Sequence, residues 1–212
     1  MERGCVLEGS WMFRKIFVAV NPVVKLVTGM EKEILVYIEK CEKTAIKKIH
    51  IAADAQILRS RCQAVENVSP ETLQALSVAM ANTMFAANGI GLAAPQIGLR
   101  LRCFVIALKA CAAKGSKVVI DGVPKNPKTL GETLFLVNPR QIAASEEIES
   151  NLEGCLSIPN RSAEVPRPVS VTFEFCGCNM ERHSICGTGL LARCLLHEND
   201  HLDGVLYIDR IA

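Results

Sequence analysis

One short stretch carries residues with the types and the spacing of a metal centre. Residues 190–204 read LLARCLLHENDHLDG, in which His197, Glu198 and His201 form the pattern H-E-x-x-H. Two histidines four residues apart share one face of a helix and can bind a single ion, and the adjacent glutamate can reach a water on that ion. The chain has only four histidines, so a chance match is improbable. The stretch therefore predicts a bound metal and an activated water.

A catalytic site of this kind needs a third protein ligand. Only eleven residues follow His201, and they include Asp203 and Asp209 but no histidine and no glutamate. The third ligand must therefore come from upstream. Cys155, in the stretch LEGCLSIPN, is a candidate because a thiolate is a common metal ligand. The chain has ten cysteines, so a buried structural cysteine is an equal alternative at this point.

The elements that position these residues follow from hydrophobic spacing and end signals. Ser69 and Pro70 begin a helix over 70–88, which we expect to end at Asn88-Gly89 with Gly89 as a left-handed cap. Apolar runs and alternation predict strands, and the H-E-x-x-H stretch predicts a helix that ends before Gly204. The strands are expected at 101–108, 133–139 and 169–176, and the last helix at 187–202.

The order of helix, strands and helix, without a βαβ repeat, favours an α+β fold. We expect antiparallel or mixed sheets packed around a central metal-binding helix, with the long helix 70–88 on the N-terminal side. The segment 109–131 is rich in Gly, Pro and Lys. It is expected to be an exposed excursion with a short hairpin near 117–120.

Composition excludes several classes of protein. The net charge is +2, from 24 basic and 22 acidic residues, so no specific nucleic-acid sequence is an expected partner. No apolar run reaches the ~18 residues of a membrane helix, and no membrane partner is expected. The cysteines lack the regular spacing of a secreted scaffold, which favours free thiols in the cytoplasm. A zinc knuckle from Cys176, Cys178, His183 and Cys186 is disfavoured because the spacing fits no strong pattern.

Residues 1–48 differ in character from the rest and are interpreted as an N-terminal extension of uncertain order. The stretch MEKEILVYIEKCEKTAIKK, residues 30–48, has the spacing of an amphipathic helix, with Ile34, Ile38 and Cys41 on one face. Organellar targeting by this extension stays open as an alternative, although Glu2 and Glu8 are unlike a targeting peptide. Residues 49–212 are expected to form a single catalytic domain.

Three stretches together resemble one enzyme family. GIGLAAPQ (89–96), EGCLS (153–157) and HENDH (197–201) resemble, in order and wording, the three motifs of peptide deformylase. The similarity extends over roughly 50–211, and it includes ILRSRCQAVENV (57–68). The resemblance implies a metal-dependent amidase that removes the formyl group from the N-terminal formyl-methionine of nascent polypeptides and releases formate.

The resemblance also implies a role for each site residue. Cys155, His197 and His201 would bind the metal, and Glu198 would be the general acid and base. Gln96, through its side-chain amide, and Leu156, through its backbone N–H, would donate hydrogen bonds to the formyl oxygen. Gly91 would pair with the substrate backbone. The resemblance implies Fe²⁺ as the metal, with Zn²⁺, Ni²⁺ or Co²⁺ as replacements, and it implies a place near the ribosome exit region.

The sequence departs from the family pattern in the last helix. Leu196 stands where the family often has Gln, and Arg193 stands where apolar residues line the pocket for the methionine side chain. Asn151 is another polar residue near that pocket. Arg193 therefore either points outward or changes the substrate preference.

Two other functions are open on the residues alone. A metallopeptidase would use the same helix, but it usually has a downstream ligand, which is missing here. A non-catalytic relative that binds nascent chains or ribosomes would keep the fold, but it would have no need of Glu198.

Overall fold

The computed structural model describes residues 29–43 and 56–211. Four α-helices and nine β-strands lie in these ranges. The helices are α1 Gly29–Lys43, α2 Pro70–Ala86, α3 Leu108–Ala113 and α4 Gly189–Leu202. The strands are β1 Gly91–Ala93, β2 Cys103–Ile106, β3 Val118–Ile120, β4 Val123–Pro124, β5 Leu134–Ala144, β6 Ile148–Cys155, β7 Ile158–Pro168, β8 Ser170–Cys176 and β9 Arg182–Thr188.

The strands form two antiparallel sheets. Seven of them are ordered β1-β2-β5-β8-β9-β3-β4, and β6 pairs with β7 as a separate hairpin. The hairpin closes through Leu156 and Ser157, with Cys155 paired to Ile158. Helix α4 contacts four strands of the main sheet and also β7 of the hairpin. The expected α+β fold with antiparallel sheets around the motif-bearing helix is confirmed.

Helix α2 begins where the sequence predicts and ends two residues earlier than expected. The Ser69 side chain accepts a hydrogen bond from the Thr72 N–H, and Pro70 occupies the first turn, where its missing N–H has no cost. At the other end, Asn88 adopts the left-handed conformation with φ 57°. The expectation that Gly89 forms this cap was wrong, because asparagine also tolerates that region.

The segment 109–131 is more ordered than the sequence suggested. It contains α3 and the hairpin of β3 and β4, and β3 pairs with β9 at the end of the main sheet. Cys111, Ala112 and Val118 are buried in the core beneath α4. The apolar residues that lie between the lysines and glycines of this segment therefore pack into the core. The expectation that the whole segment is exposed was wrong in part.

The N-terminal helix α1 belongs to the same hydrophobic cluster as α2. Ile34 and Tyr37 of α1 are buried with Leu73 and Leu76 of α2, and Ile38 and Cys41 pack against them. The expected amphipathic helix is confirmed over Gly29–Lys43. The remainder of that stretch, residues 44–48, lies outside the described residues.

No helix among the described residues has both the length and the apolar character needed to cross a membrane. In the same ranges the nine cysteines are all free thiols, and Cys5 lies outside them.

Candidate metal centre

Three donor atoms from two elements converge beside α4. Cys155 ends strand β6, while His197 and His201 lie one turn apart on α4. Their ligand atoms all lie within 4.8 Å of one another, and the Cys155 Sγ is 3.2 Å from the His201 Nε2. One thiolate and two imidazoles within such distances match the donor set of a tetrahedral site with a position left open.

The two histidines differ in their electrostatic surroundings. Burial, together with the charges of His197 and Arg167, lowers the pKa of His201 well below its usual value, so its ring is neutral. Burial also opposes a charge on His197, but its bonds to Cys155 and Glu153 outweigh burial and raise its pKa to about 10. A cation bound by these three donors would displace the extra proton of His197, since metal ligands must be deprotonated.

Glu153 fixes the orientation of the first histidine. Its Oε2 lies 3.0 Å from the His197 Nδ1. The Nδ1 of His197 is thereby occupied as a donor, which leaves Nε2 as the ring nitrogen that could bind a cation.

Glu198 is buried against Gly91. Glu198 is 4% exposed. Among the described residues, two buried side-chain polar atoms have no hydrogen-bond partner, the Glu198 Oε2 and the His201 Nδ1. Burial raises the pKa of Glu198 to about 7, partly offset by the charge of His197. A Cβ added at Gly91 would lie 2.2 Å from the Glu198 Oε1, so only glycine leaves room for this carboxylate.

The direction of the Gln96 amide follows from its neighbours. Its Oε1 accepts a hydrogen bond from the Ala93 N–H at 2.8 Å, and that N–H can only donate. Its Nε2 therefore faces the hairpin turn beside the donor atoms, at 3.1 Å from the Ser157 Oγ and 3.7 Å from the Cys155 Sγ. Leu156 is adjacent, in the turn that closes the hairpin.

Comparison with known proteins agrees with this arrangement. The family model for polypeptide deformylase matches residues 46–212. The peptide deformylase of Roseiflexus castenholzii is 44% identical over 170 residues, which cover 78% of this chain and 87% of that protein. That of Agrobacterium fabrum is 40% identical over 167 residues, which cover 79% and 88%.

Solved structures show the same relationship. The structure from Thermotoga maritima has a TM-score of 0.66 and 30% identity, and the alignment covers 80% of this chain and 99% of that chain. The structure from Synechococcus elongatus, in complex with actinonin, has a TM-score of 0.64 and 34% identity, and the alignment covers 77% and 78%.

The chain belongs to the polypeptide deformylase family.

As a member of the polypeptide deformylase family, the chain is a metal-dependent hydrolase that removes the N-formyl group from nascent polypeptides. The three motifs that carried the resemblance lie together in space. Gly91 and Gln96, Cys155 and Leu156, and the histidine pair with Glu198 surround one small volume. The expected family relationship is thus confirmed.

Sequence reasoning missed part of the charge network behind these deformylase motifs. Arg167 donates to both oxygens of Glu153 at 2.9 Å and to the Asp200 Oδ2 at 2.6 Å. Arg210 also binds Asp200, through two bonds of 2.6 Å. From the sequence alone, an ion pair of Glu153 with Arg167 and surface solvation of both residues are equally open interpretations. The sequence signal that could have indicated a role for Asp200 is its place directly before His201.

Arg193, the departure from the deformylase pattern, points inward and is buried. Its Nη1 donates to the Glu153 Oε1 at 2.8 Å and to the Val165 carbonyl at 2.7 Å. Its Nη2 donates to the Glu149 carbonyl at 2.8 Å. A cleft of about 490 Å³ lies beside it, lined in part by Asn151 and Leu190.

Proposed function

We propose that Cys155, His197 and His201 hold one divalent cation in this chain. The observation that carries the proposal is the convergence of three donor atoms within 4.8 Å. The surroundings fit a cation as well: Glu153 occupies the second nitrogen of His197, and the buried Glu198 Oε2 lacks a partner. Unpaired buried polar atoms indicate a group that completes the site.

The proposed cation is Fe²⁺, with Zn²⁺, Ni²⁺ or Co²⁺ able to replace it. Imidazole suits all four metals and thiolate suits the softer ones, so the donor set accepts each of them. A divalent cation at such a set, when bound, supplies Lewis acidity and lowers the pKa of water toward ~7.

We assign to Glu198 the role of general acid and base. Its carboxylate is buried beside the donor atoms and has a free oxygen. In the metal-free site burial raises its pKa to about 7, and a carboxyl group with a pKa near neutrality can both accept and return a proton. Glu198 would accept the proton of the attacking water and would then deliver it to the departing amine of formyl-methionine, which leaves formate as the second product.

Gln96 and Leu156 are proposed as donors to the formyl oxygen. The Gln96 Nε2 is already directed toward the metal ligands by the Ala93 N–H. Preorganised donors stabilise the charge that develops on the oxygen, and loss of one such donor costs about 10²–10³ in rate. The backbone N–H of Leu156 would supply the second bond.

Gly91 is proposed to pair with the substrate backbone. Strand β1, which begins at Gly91, is at the edge of the main sheet, and β2 is its only neighbour among the strands that the structure describes. An extended peptide can add to such an edge through main-chain hydrogen bonds. The formyl-methionine at the start of a nascent chain would then lie along β1.

We further propose that residues 49–212 act as one catalytic domain and that residues 1–48 are an extension whose helix α1 docks onto it. The nine free thiols of the described residues support a reducing cytoplasm. The nascent peptide is the proposed partner, met near the ribosome exit region.

The experiment follows formate release from formyl-Met-Ala-Ser by protein purified without oxygen and loaded with ferrous iron. Glu198→Ala is the control for the proposed base. Formate above that control supports the proposal, and its absence contradicts it. Cleavage of internal peptide bonds would favour the metallopeptidase alternative instead.

The ligand assignment has its own test. Cys155→Ser is expected to reduce metal retention sharply, because a hydroxyl is a poor substitute for a thiolate. Unchanged metal stoichiometry would remove Cys155 from the ligand set.

A further inference from the structure

Arg193 is one turn before His197 on the metal-binding helix and is 8% exposed. A guanidinium cannot lose its charge, so burial is costly unless every donor finds a partner. A charge at this position therefore needs a structural reason.

The three bonds of Arg193 reach both strands of the hairpin that carries Cys155. The Glu149 carbonyl and the Glu153 carboxylate belong to β6, and the Val165 carbonyl belongs to β7. All three distances are between 2.7 and 2.8 Å. Two different nitrogens of the planar guanidinium make them, which a single ammonium cannot reproduce.

Glu153 connects this contact to the metal donors. Its Oε1 accepts hydrogen bonds from Arg193 and Arg167, and its Oε2 accepts hydrogen bonds from Arg167 and His197. It is also two residues before Cys155 on the same strand. Arg193 is therefore connected through Glu153 to His197 by a hydrogen bond and to Cys155 by the backbone of β6.

The same contacts decide what Arg193 presents to the adjacent cleft. Both of its Nη atoms are directed at protein acceptors rather than into the open volume. The side chain therefore lines the cleft with its aliphatic stem and keeps its charge in the protein.

We propose that Arg193 is a positioning residue that holds the hairpin strand β6 against α4, so that Cys155 stays within binding distance of His197 and His201. The inference rests on the proposed metal set. It extends that set to a residue that is not itself a metal ligand.

The test uses the full chain loaded with cobalt(II), as wild type, Arg193→Lys and Arg193→Met. We expect cobalt release to a chelator to be fastest in Arg193→Met and intermediate in Arg193→Lys. Loss of a residue that supports a metal ligand typically costs 10–100-fold in metal affinity or activity, and we expect about this factor for Arg193→Met. The sulfur-to-cobalt charge-transfer band should change as well, which a merely stabilising side chain would leave alone.

The matched control is Arg140→Met, which removes an arginine from an exposed ion pair with Glu174 on the main sheet. It should release cobalt at the wild-type rate. Unfolding of the metal-free proteins is measured in parallel. If Arg193→Met does not fold, Arg193→Lys decides, since its single ammonium cannot make the contacts of both Nη1 and Nη2.

Cobalt release and a charge-transfer band at wild-type values in the deciding variant would overturn the inference. Failure of the wild type itself to bind cobalt or to release formate would instead contradict the proposed function. A second readout compares formyl-Met-Ala-Ser with formyl-Glu-Ala-Ser. A wild-type preference for the glutamate substrate, lost in Arg193→Met, would show a charge facing the cleft and would also overturn the inference.

Discussion

At the scale of single residues, the site depends on two groups that are fully enclosed by their neighbours. Gly91 lies so close to Glu198 that a Cβ would overlap the carboxylate. Glu153 uses both oxygens to bind two arginines and a histidine. Each has a measurable consequence, one for catalysis and one for stability.

Gly91→Ala is expected to lower kcat by about 100-fold or more, because the added Cβ displaces the proposed general base. Metal content should stay at the wild-type level, since no ligand moves directly. The control is Gly131→Ala, where the nearest atom would be a carbonyl 3.6 Å away. Steady-state kinetics with metal analysis checks both. An active Gly91→Ala protein would show that Glu198 can act from another position.

Glu153 should make the metal-free protein sensitive to acid. Burial raises the pKa of Glu153, but its bonds from Arg167 and His197 outweigh burial and lower it from 4.5 to about 2. Because the folded pKa is the lower one, the stabilisation is present above the unfolded pKa and is lost as pH falls from about 4.5 toward about 2.

The measurement is chemical unfolding of wild type and Glu153→Gln across that pH range, with chelator present. The difference in unfolding free energy should be largest near neutral pH and should shrink through the window. Glu174→Gln, on the exposed sheet face, is the control. A difference that stays constant with pH would contradict the linkage.

At the scale of elements, α1 binds the start of α2 through one carboxylate. The Glu31 Oε1 accepts hydrogen bonds from the Ser69 backbone N–H, the Ser69 hydroxyl and the Thr72 hydroxyl, at 3.2, 2.7 and 2.9 Å. A negative charge at a helix N-terminus is also favoured by the helix dipole. Helix α1 is thus joined to α2 by polar capping as well as by apolar packing.

Glu31→Ala should lower the free energy of unfolding by about 1.5–3 kcal/mol, the usual contribution of hydrogen bonds to a charged group. Urea denaturation measures the change. Glu33→Ala removes an exposed carboxylate from the same helix and should have little effect. Equal effects of the two substitutions would refute a specific role for Glu31.

At the scale of the whole molecule, the proposed metal links two separate sheets. Cys155 belongs to the β6–β7 hairpin, while the two histidines belong to α4, which packs against the main sheet. A cation bound by all three would therefore join parts of the fold that have no strand pairing in common.

Metal removal should consequently lower the unfolding midpoint. A ligand that binds only the folded state stabilises it by about 2.7 kcal/mol at one hundred times its Kd. Calorimetry with cobalt and with chelator measures the difference, which should vanish in Cys155→Ser. A midpoint that does not respond to chelation in the wild type would contradict a linking role.

The sequence allowed local elements to be predicted, but not the contacts between distant ones. Helix α4 follows from its periodicity and Gly204, whose φ of 75° ends it as expected. Cys155 lies 42 residues before His197, so spacing left its role open, and only the family resemblance assigned it. The inward orientation of the Arg193 side chain depends on three hydrogen-bond acceptors from two strands. No local sequence pattern indicates that these acceptors lie near Arg193.

The close fit of Gly91 to Glu198 also bears on other sequences. Every residue except glycine carries a Cβ, which at this position would force the Glu198 carboxylate to shift. A relative that keeps H-E-x-x-H but has a larger residue here would need a different route for its base. Glycine at position 91 together with Glu198, rather than the helix motif alone, is thus the feature that indicates an active enzyme in a distant homologue.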